Sequence, residues 1–229
     1  MITQPSDRDH MRKFISFAVY EQDQLSMPEN DTYRTIGSPS EGIYKEKGSK
    51  FLAFAYPVFS EDEIKDHISE LKKKFHDARH HCYAWKLGMD NNHYRMNDDG
   101  EPSGTAGKPI YGQILSHELT NVLVVVVRYF GGTKLGTSGL IHAYKTATKD
   151  AFENAEIVEK TVNDIISVSF NYGSMNDVMR IIKEEAPEIL KQDFNLDCRM
   201  DLSVRRSRTE ILTEKLKKLD HVKIRINNK

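Results

Sequence analysis

One run of six residues, Val122-Leu123-Val124-Val125-Val126-Val127, constrains this chain more than any other feature. β-Branched side chains at that density are stiff at χ1 and leave no polar face, so the run is read as a strand buried on both sides. Such a strand needs a covering layer above and another below. It leads directly into Arg128-Tyr129-Phe130-Gly131-Gly132-Thr133-Lys134-Leu135-Gly136, a glycine-rich turn. Leu140, Ala143, Tyr144, Ala147, Ala151 and Phe152 then recur at helical spacing, which predicts a long helix capped by Thr137 or Ser138. The run is far shorter than the ~20 apolar residues a membrane span requires, so no membrane role is expected.

Flanking patterns fill in the rest. Ile43, Phe51, Ala53, Ala55 and Val58 fall in two short runs split by Lys47-Gly48-Ser49-Lys50, a strand, a turn and a strand. Ser60, with Glu63 three residues on, caps a helix whose apolar positions are Ile64, Ile68, Leu71 and Phe75. His81 to Leu87 is strand-like. Gly100, Pro102, Gly104, Gly107 and Pro109 make Asp98 to Pro109 an ordered or gating loop. After about Glu156 glycines become scarce. Strands are read at Ile165 to Phe170, Ile189 to Leu196, Arg199 to Arg205 and Val222 to Ile226, with helices at Ser174 to Ala186 and Ser207 to Leu219. That βαββαβ order is the ferredoxin-like arrangement. The expected fold class is therefore α+β in two domains: a variable extension over 1–33, a first domain over 34–155 and a second over 156–229. A short accessible connection is expected between about Asn154 and Asn163.

Composition narrows the function classes. Hydrophobic residues at 38% and charged residues at 29% of 229 describe a globular chain, not a disordered one. The net charge of -1 means that any nucleic-acid role must come from a local basic patch. The two cysteines, Cys82 and Cys198, are too few for a disulfide scaffold, and the first thirty residues hold no apolar stretch of signal-peptide length. A reduced, cytoplasmic protein is expected.

The glycine turn is the strongest candidate for chemistry. A buried strand delivers Arg128 to its end, Gly131, Gly132 and Gly136 allow close backbone approach, and the next helix offers unpaired N–H groups. Lys134 adds a point charge, so the turn is a candidate site for a phosphate-like anion. Tyr129 and Phe130 either face that site, where they could stack on bases, or pack in the core. The alternative for the whole turn is a tight connection whose glycines serve packing alone.

The loop Asp98-Asp99-Gly100-Glu101-Pro102-Ser103-Gly104-Thr105-Ala106-Gly107-Lys108-Pro109 is not a Walker A motif, because Pro102 and Pro109 stand where a glycine and the magnesium-binding hydroxyl are required. Its carboxylates Asp98, Asp99 and Glu101 read as turn chemistry before they read as cation ligands. The loop can instead close over an anion held by the turn, with Ser103, Thr105 and Lys108 as contacts. Five of the nine histidines fall between His67 and His93, and a helix over Lys72 to Arg79 would put His76 and His80 on one face. No second ligand pair matches them, so neither a metal nor another cofactor is expected. Cys82 beside His80 and His81 is a conceivable nucleophile with no assignable orienting partner.

Four segments in order carry a resemblance: Gly48-Ser49-Lys50-Phe51, Asp77-Ala78-Arg79-His80-His81-Cys82-Tyr83-Ala84-Trp85, the loop DDGEPSGTAGKP, and VVVRYFGGTKLGTSGL ending in His142-Ala143-Tyr144. From about Tyr33 to its end the chain resembles the IMPACT family in its bacterial, YigZ-like form. The resemblance implies a first domain similar to domain IV of elongation factor G and to a ribosomal-protein domain. It implies a ferredoxin-like second domain similar to domain V of that factor. It also implies a role near translation, since eukaryotic relatives are translational regulators. Ser138 and His142 depart from the family pattern, which has glycine and a basic residue there, and the second change lowers local positive charge.

Two functions stand. The favoured one is a translation-associated regulatory or binding protein that engages RNA, the ribosome or a translation partner through a cleft. That cleft is lined by His80, Cys82, Asp98, Asp99, Glu101, Ser103, Thr105, Lys108, Arg128, Tyr129, Phe130, Gly131, Gly132, Lys134 and Gly136. The alternative is an enzyme acting there on a small phosphorylated or peptide-like substrate, with His80, Cys82, Asp98 or Asp99 as reactive groups. No nucleophile–base pair can be completed from sequence, which favours binding.

Overall fold

The computed structural model describes residues 31–89, 92–195 and 198–227, so the expected N-terminal extension as far as residue 30 lies outside the described residues. Contacts divide the chain into two units, Thr32–Lys160 and a second formed by Thr161 onward together with Asp31.

The first unit runs β1 (Thr32–Ile36), β2 (Ser40–Glu46), β3 (Ser49–Pro57), α1 (Glu61–Lys74), β4 (His80–Lys86), β5 (Tyr94–Asn97), α2 (Gly107–Ser116), β6 (Val122–Tyr129), α3 (Gly136–Glu153) and β7 (Ile157–Thr161). Five strands form one sheet in the order β2-β3-β6-β4-β5, each pair antiparallel. β6 lies at its centre, and Val122 to Val127 are all fully buried. Val122, Val124 and Val126 join the core built with Ile110, Ile114, Leu140, Ala147 and Phe152 of α2 and α3. Leu123, Val125 and Val127 point the other way, into a second core with Ile64 and Leu71 of α1 and with Trp85. The period of two along a strand and the two helical layers together account for an uninterrupted apolar run. Gly42 lets α3 lie directly on β2: a Cβ there would fall 2.3 Å from the Ala151 backbone nitrogen.

Several expected boundaries move, each for a local reason. The cap of α1 is as read: Ser60 Oγ accepts from the Glu63 N–H at 3.2 Å, and the Glu63 carboxylate accepts from the Phe59 N–H at 2.8 Å. That helix ends at Lys74, so His76 and His80 share no helical face, and His80 instead opens β4. Lys108 and Pro109 belong to the first turn of α2, not to a loop. Proline is tolerated there because first-turn N–H groups have no intrahelical acceptor. α3 begins at Gly136, with Leu135 at the capping position and no side-chain cap, so Thr137 and Ser138 lie inside the helix. Residues 157–161, expected in an accessible connection, form β7, which pairs with β1 as a two-stranded ribbon.

The second unit contains β8 (Asn163–Phe170), a 3-10 turn (Tyr172–Ser174), α4 (Met175–Glu185), β9 (Glu188–Phe194), β10 (Cys198–Arg205), α5 (Arg206–Lys217) and β11 (Val222–Asn227). Its antiparallel sheet has the order β11-β8-β10-β9. Alternation is strict along β8 and β10. Ile166, Val168, Phe170, Met200 and Leu202 pack on Val178, Ile181 and Ile182 of α4 and on Leu212 and Leu216 of α5. Asp31 is held in this unit: its carboxylate accepts from the Arg205 guanidinium at 2.7 and 2.8 Å and from the Ser207 N–H at 3.1 Å.

Candidate functional site

At one end of the five-stranded sheet the loop from Asp98 and the end of β6 meet Tyr144 of α3 in a buried polar chain. Strand period decides which side chains meet. His80 lies opposite Arg128 and Cys82 opposite Val126, so both share the face of β6 covered by α2 and α3. His81 and Tyr129 point to the α1 side, where Tyr129 Oη donates to Asp77 at 2.8 Å. That bond also holds the Tyr129 hydroxyl above its ordinary pKa and the Asp77 carboxyl below its own.

Glu101 is the hub. Its Oε1 accepts from Arg128 Nη1 at 2.5 Å and from Tyr144 Oη at 2.8 Å, with the Arg128 and Glu101 side chains only 7% and 4% exposed. Cys82 Sγ lies 2.9 Å from the Asp98 carbonyl and 3.3 Å from Tyr144 Oη, so its single proton serves one of two acceptors. The Arg128 guanidinium lies between two rings, its carbon 5.4 Å from the Phe51 centroid and 5.7 Å from that of Phe130. Its Nε is buried with no partner among the described residues. Burial pushes both the Cys82 thiol and the Tyr144 hydroxyl far up, so both are held neutral.

Asp98 organises the loop. Its carboxylate accepts from the N–H groups of Gly104, Ala106 and Gly107 at 2.8 to 3.0 Å, so it both closes the turn and caps α2 from outside the helix. Thr105 is buried and donates to the Pro102 carbonyl at 2.7 Å, while Ser103 and Lys108 are exposed. Asp99 accepts from the His81 N–H at 2.6 Å, and its carbonyl lies 2.9 Å from His80 Nδ1. Burial pulls the His81 imidazole below its usual pKa, and its Nε2 is buried without a partner among the described residues. The loop is therefore laced down by its own carboxylates.

The turn after β6 presents the opposite character. Gly131 is a packing glycine: a Cβ would fall 1.9 Å from the Gly48 carbonyl carbon, and its N–H donates to Ser49 Oγ at 3.1 Å. Gly132 and Gly136 have φ of +88° and +73° with open space where a side chain would point. Phe130 is 51% exposed, and Gly132, Lys134 and Gly136 are exposed beside the uncapped first turn of α3. Lys134 has no ion-pair partner among the described residues.

The structure thus brings His80, Cys82, Asp98, Asp99, Glu101, Thr105 and Arg128 into one bonded cluster. It leaves Phe130, Gly132, Lys134 and Gly136 on the surface and turns Tyr129 to the other face. Arg128, expected to meet an anion, is engaged by Glu101. Sequence reasoning took Tyr144 as plain core and did not find Ser49 or Phe51 as site residues. The signal for Tyr144 was its polar tip on an otherwise apolar helix stripe, since a buried tyrosine hydroxyl requires a partner. Among the described residues no cluster of three or more His, Cys, Asp or Glu side chains is placed to hold a metal, and no helix is long and apolar enough to cross a membrane.

The Impact N-terminal domain profile matches residues 47–152, which include the loop, the turn and the whole buried cluster. An IMPACT family member of Haemophilus influenzae is 30% identical over 172 residues, 74% of this chain and 84% of its own length. The IMPACT family member YigZ of Escherichia coli is 30% identical over 159 residues, 69% of this chain and 78% of its own. A crystal structure described as that of a hypothetical protein superposes with a TM-score of 0.66 at 25% identity, covering 85% of this chain and 96% of that one. Relatives that align across most of their own length, and a family domain that coincides with the glycine turn and its Glu101–Arg128 hub, establish that this chain belongs to the IMPACT family.

Proposed function

We propose that this protein is a translation-associated regulatory or binding protein of the cytoplasm. It engages RNA, the ribosome or a translation partner through the surface formed by the turn after β6 and the loop from Asp98. The observation that carries this reading is the uncapped first turn of α3, flanked by exposed Phe130, Gly132 and Lys134. Free N–H groups at a helix start, a lysine and an exposed ring suit a phosphate-like anion next to a base or an aromatic side chain. The translation context comes from the family resemblance, which implies a first domain like domain IV of elongation factor G and a ferredoxin-like second domain. The β11-β8-β10-β9 order supports that second assignment.

Catalysis is the weaker reading. Cys82 is buried and its thiol is pushed up, which opposes a thiolate nucleophile. Arg128 is neutralised by Glu101, and Asp98 is spent on three backbone N–H groups.

Cosedimentation with ribosomes tests the proposal. The wild-type chain is expected in the ribosomal pellet, and Lys134→Ala combined with Phe130→Ala is expected to pellet several-fold less. Wild type absent from the pellet at low salt, or a variant that pellets equally, refutes the site.

A further inference from the structure

The second unit carries a surface that nothing above uses. Its two helices cover one face of the sheet, and among the described residues no element of the unit covers the other. Register places the uncovered side chains in three cross-strand rows: Asp193, Arg199, Ser169 and Lys223 in the first, Lys191, Asp201, Ser167 and Arg225 in the second, and Glu188, Ser203, Ile165 and Asn227 in the third. The first two rows line an open groove of about 500 Å³.

The charges on this face are not satisfied internally. Elsewhere in the unit Arg180, Arg205, Arg206, Arg208 and Lys215 each pair with a carboxylate, while Lys183, Lys217 and Lys218 have no such partner among the described residues. Lys191, Arg199, Lys223 and Arg225 have no such partner among the described residues, although Asp193 stands opposite Arg199 and Asp201 opposite Lys191. The two acids are bonded to neutral donors instead. Asp201 accepts from Ser167 Oγ at 2.6 Å, and Asp193 accepts from Asn195 Nδ2 at 2.6 Å. Four free cations against Asp193 and Asp201 leave the groove positive, and Glu188 at its edge reduces but does not cancel that excess, on a chain whose net charge is -1.

Strands lie about 4.8 Å apart, so Lys191 on β9 and Arg225 on β11 stand roughly 14 Å apart across the sheet. One small anion does not span that distance, whereas a series of linked phosphates does. Among the described residues that line it, the groove carries serines and an asparagine but no aromatic side chain on which bases stack.

We propose that this open sheet face binds the phosphodiester backbone of single-stranded RNA without regard to sequence. The proposal deepens the RNA reading above but assigns contact to a second surface, remote in sequence from Lys134. With four phosphates neutralised, the slope of log K against log salt is about -2.8, so a fourfold rise in salt weakens binding about fiftyfold.

The test is fluorescence anisotropy of a labelled oligouridylate of ~20 nucleotides with the full chain, at salt from about 50 to 200 mM. Lys223→Gln with Arg225→Gln should halve the slope to about -1.4 and weaken binding at the lowest salt, with the far-UV circular dichroism unchanged. Lys134→Ala with Phe130→Ala should leave it nearly intact. If the Lys134 variant abolishes binding and the Lys223 variant does not, RNA binding stands and the sheet face is refuted. Absence of wild-type binding at the lowest salt refutes the sheet-face proposal and leaves the ribosome test to judge the broader function. An oligoglutamate of equal charge that displaces the RNA at equal concentration points to an acidic protein and overturns the choice of ligand.

Discussion

Removing the Glu101 carboxylate should unfold the first unit far more readily than its two hydrogen bonds suggest. Unit charges 2.5 Å apart attract by roughly 6 to 7 kcal/mol at an effective dielectric of about 20. Desolvating two groups that are only 7% and 4% exposed offsets most of that gain, so the intact pair is worth little against an apolar pair of the same shape. Glu101→Ala keeps the cost and loses the gain: it leaves the Arg128 charge buried, and Tyr144 loses its acceptor. The expected loss is about 3 to 5 kcal/mol. With a urea m-value of about 2 kcal/mol/M, the midpoint should fall by about 2 M. The single tryptophan, Trp85, is buried in this unit at 6% exposure, so its fluorescence follows this unit and not the other. Glu101→Leu with Arg128→Met removes both charges and should recover part of the loss, remaining about 1 to 3 kcal/mol below wild type because the Tyr144 hydroxyl still lacks its acceptor. A single variant that loses less than about 1 kcal/mol, or a double variant as unstable as the single, refutes the reasoning.

Three further outcomes follow from named contacts. Burial depresses the His81 pKa, so the unfolded chain takes up that proton first; stability is fully present above about pH 6.5 and is lost as pH falls below it. The Trp85-detected midpoint should drop between pH 7 and pH 5.5 in wild type and drop less in His81→Phe, and equal drops would rule this out. Gly131→Ala forces a Cβ within 1.9 Å of Gly48 and should cost about 3 kcal/mol or more. Gly132→Ala meets open space but a φ of +88°, and should cost only about 1 to 2 kcal/mol, so the reverse order in urea melts would contradict the packing account. The Asp31 carboxyl is held well below its ordinary pKa, first by the Arg205 hydrogen bond, so its contribution is present above about pH 4 and is lost as pH falls. Asp31→Asn should lower the circular-dichroism transition of the second unit at pH 7 and converge on wild type in acid; a gap independent of pH would refute it.

By itself the sequence determined the elements whose signal is local or strictly periodic. The valine run named the central strand because burial on both faces removes every polar position from it. Ser60 and Glu63 fixed the start of α1 through a bond between near neighbours. The strands read at Ile165 to Phe170 and Arg199 to Arg205 lie within β8 and β10, each of which buries one face only. Boundaries that rest on partners distant in sequence were not legible. β1 and β7 pair across more than a hundred residues, and neither alternates clearly enough to be read alone. The start of α2 is set by Asp98, whose carboxylate reaches over the loop to cap it. The sequence named Glu101, Arg128 and Cys82 as candidates but missed Tyr144, and it could not say which of them pair. Only tertiary structure brings Glu101 to Arg128 and Tyr144 and so turns an apparent anion-binding arginine into half of a buried pair. The open sheet face is likewise a product of register: its rows of side chains come from four separate strands. Local propensity fixes what each segment becomes, but partnership between buried charges depends on which strand ends the fold brings together.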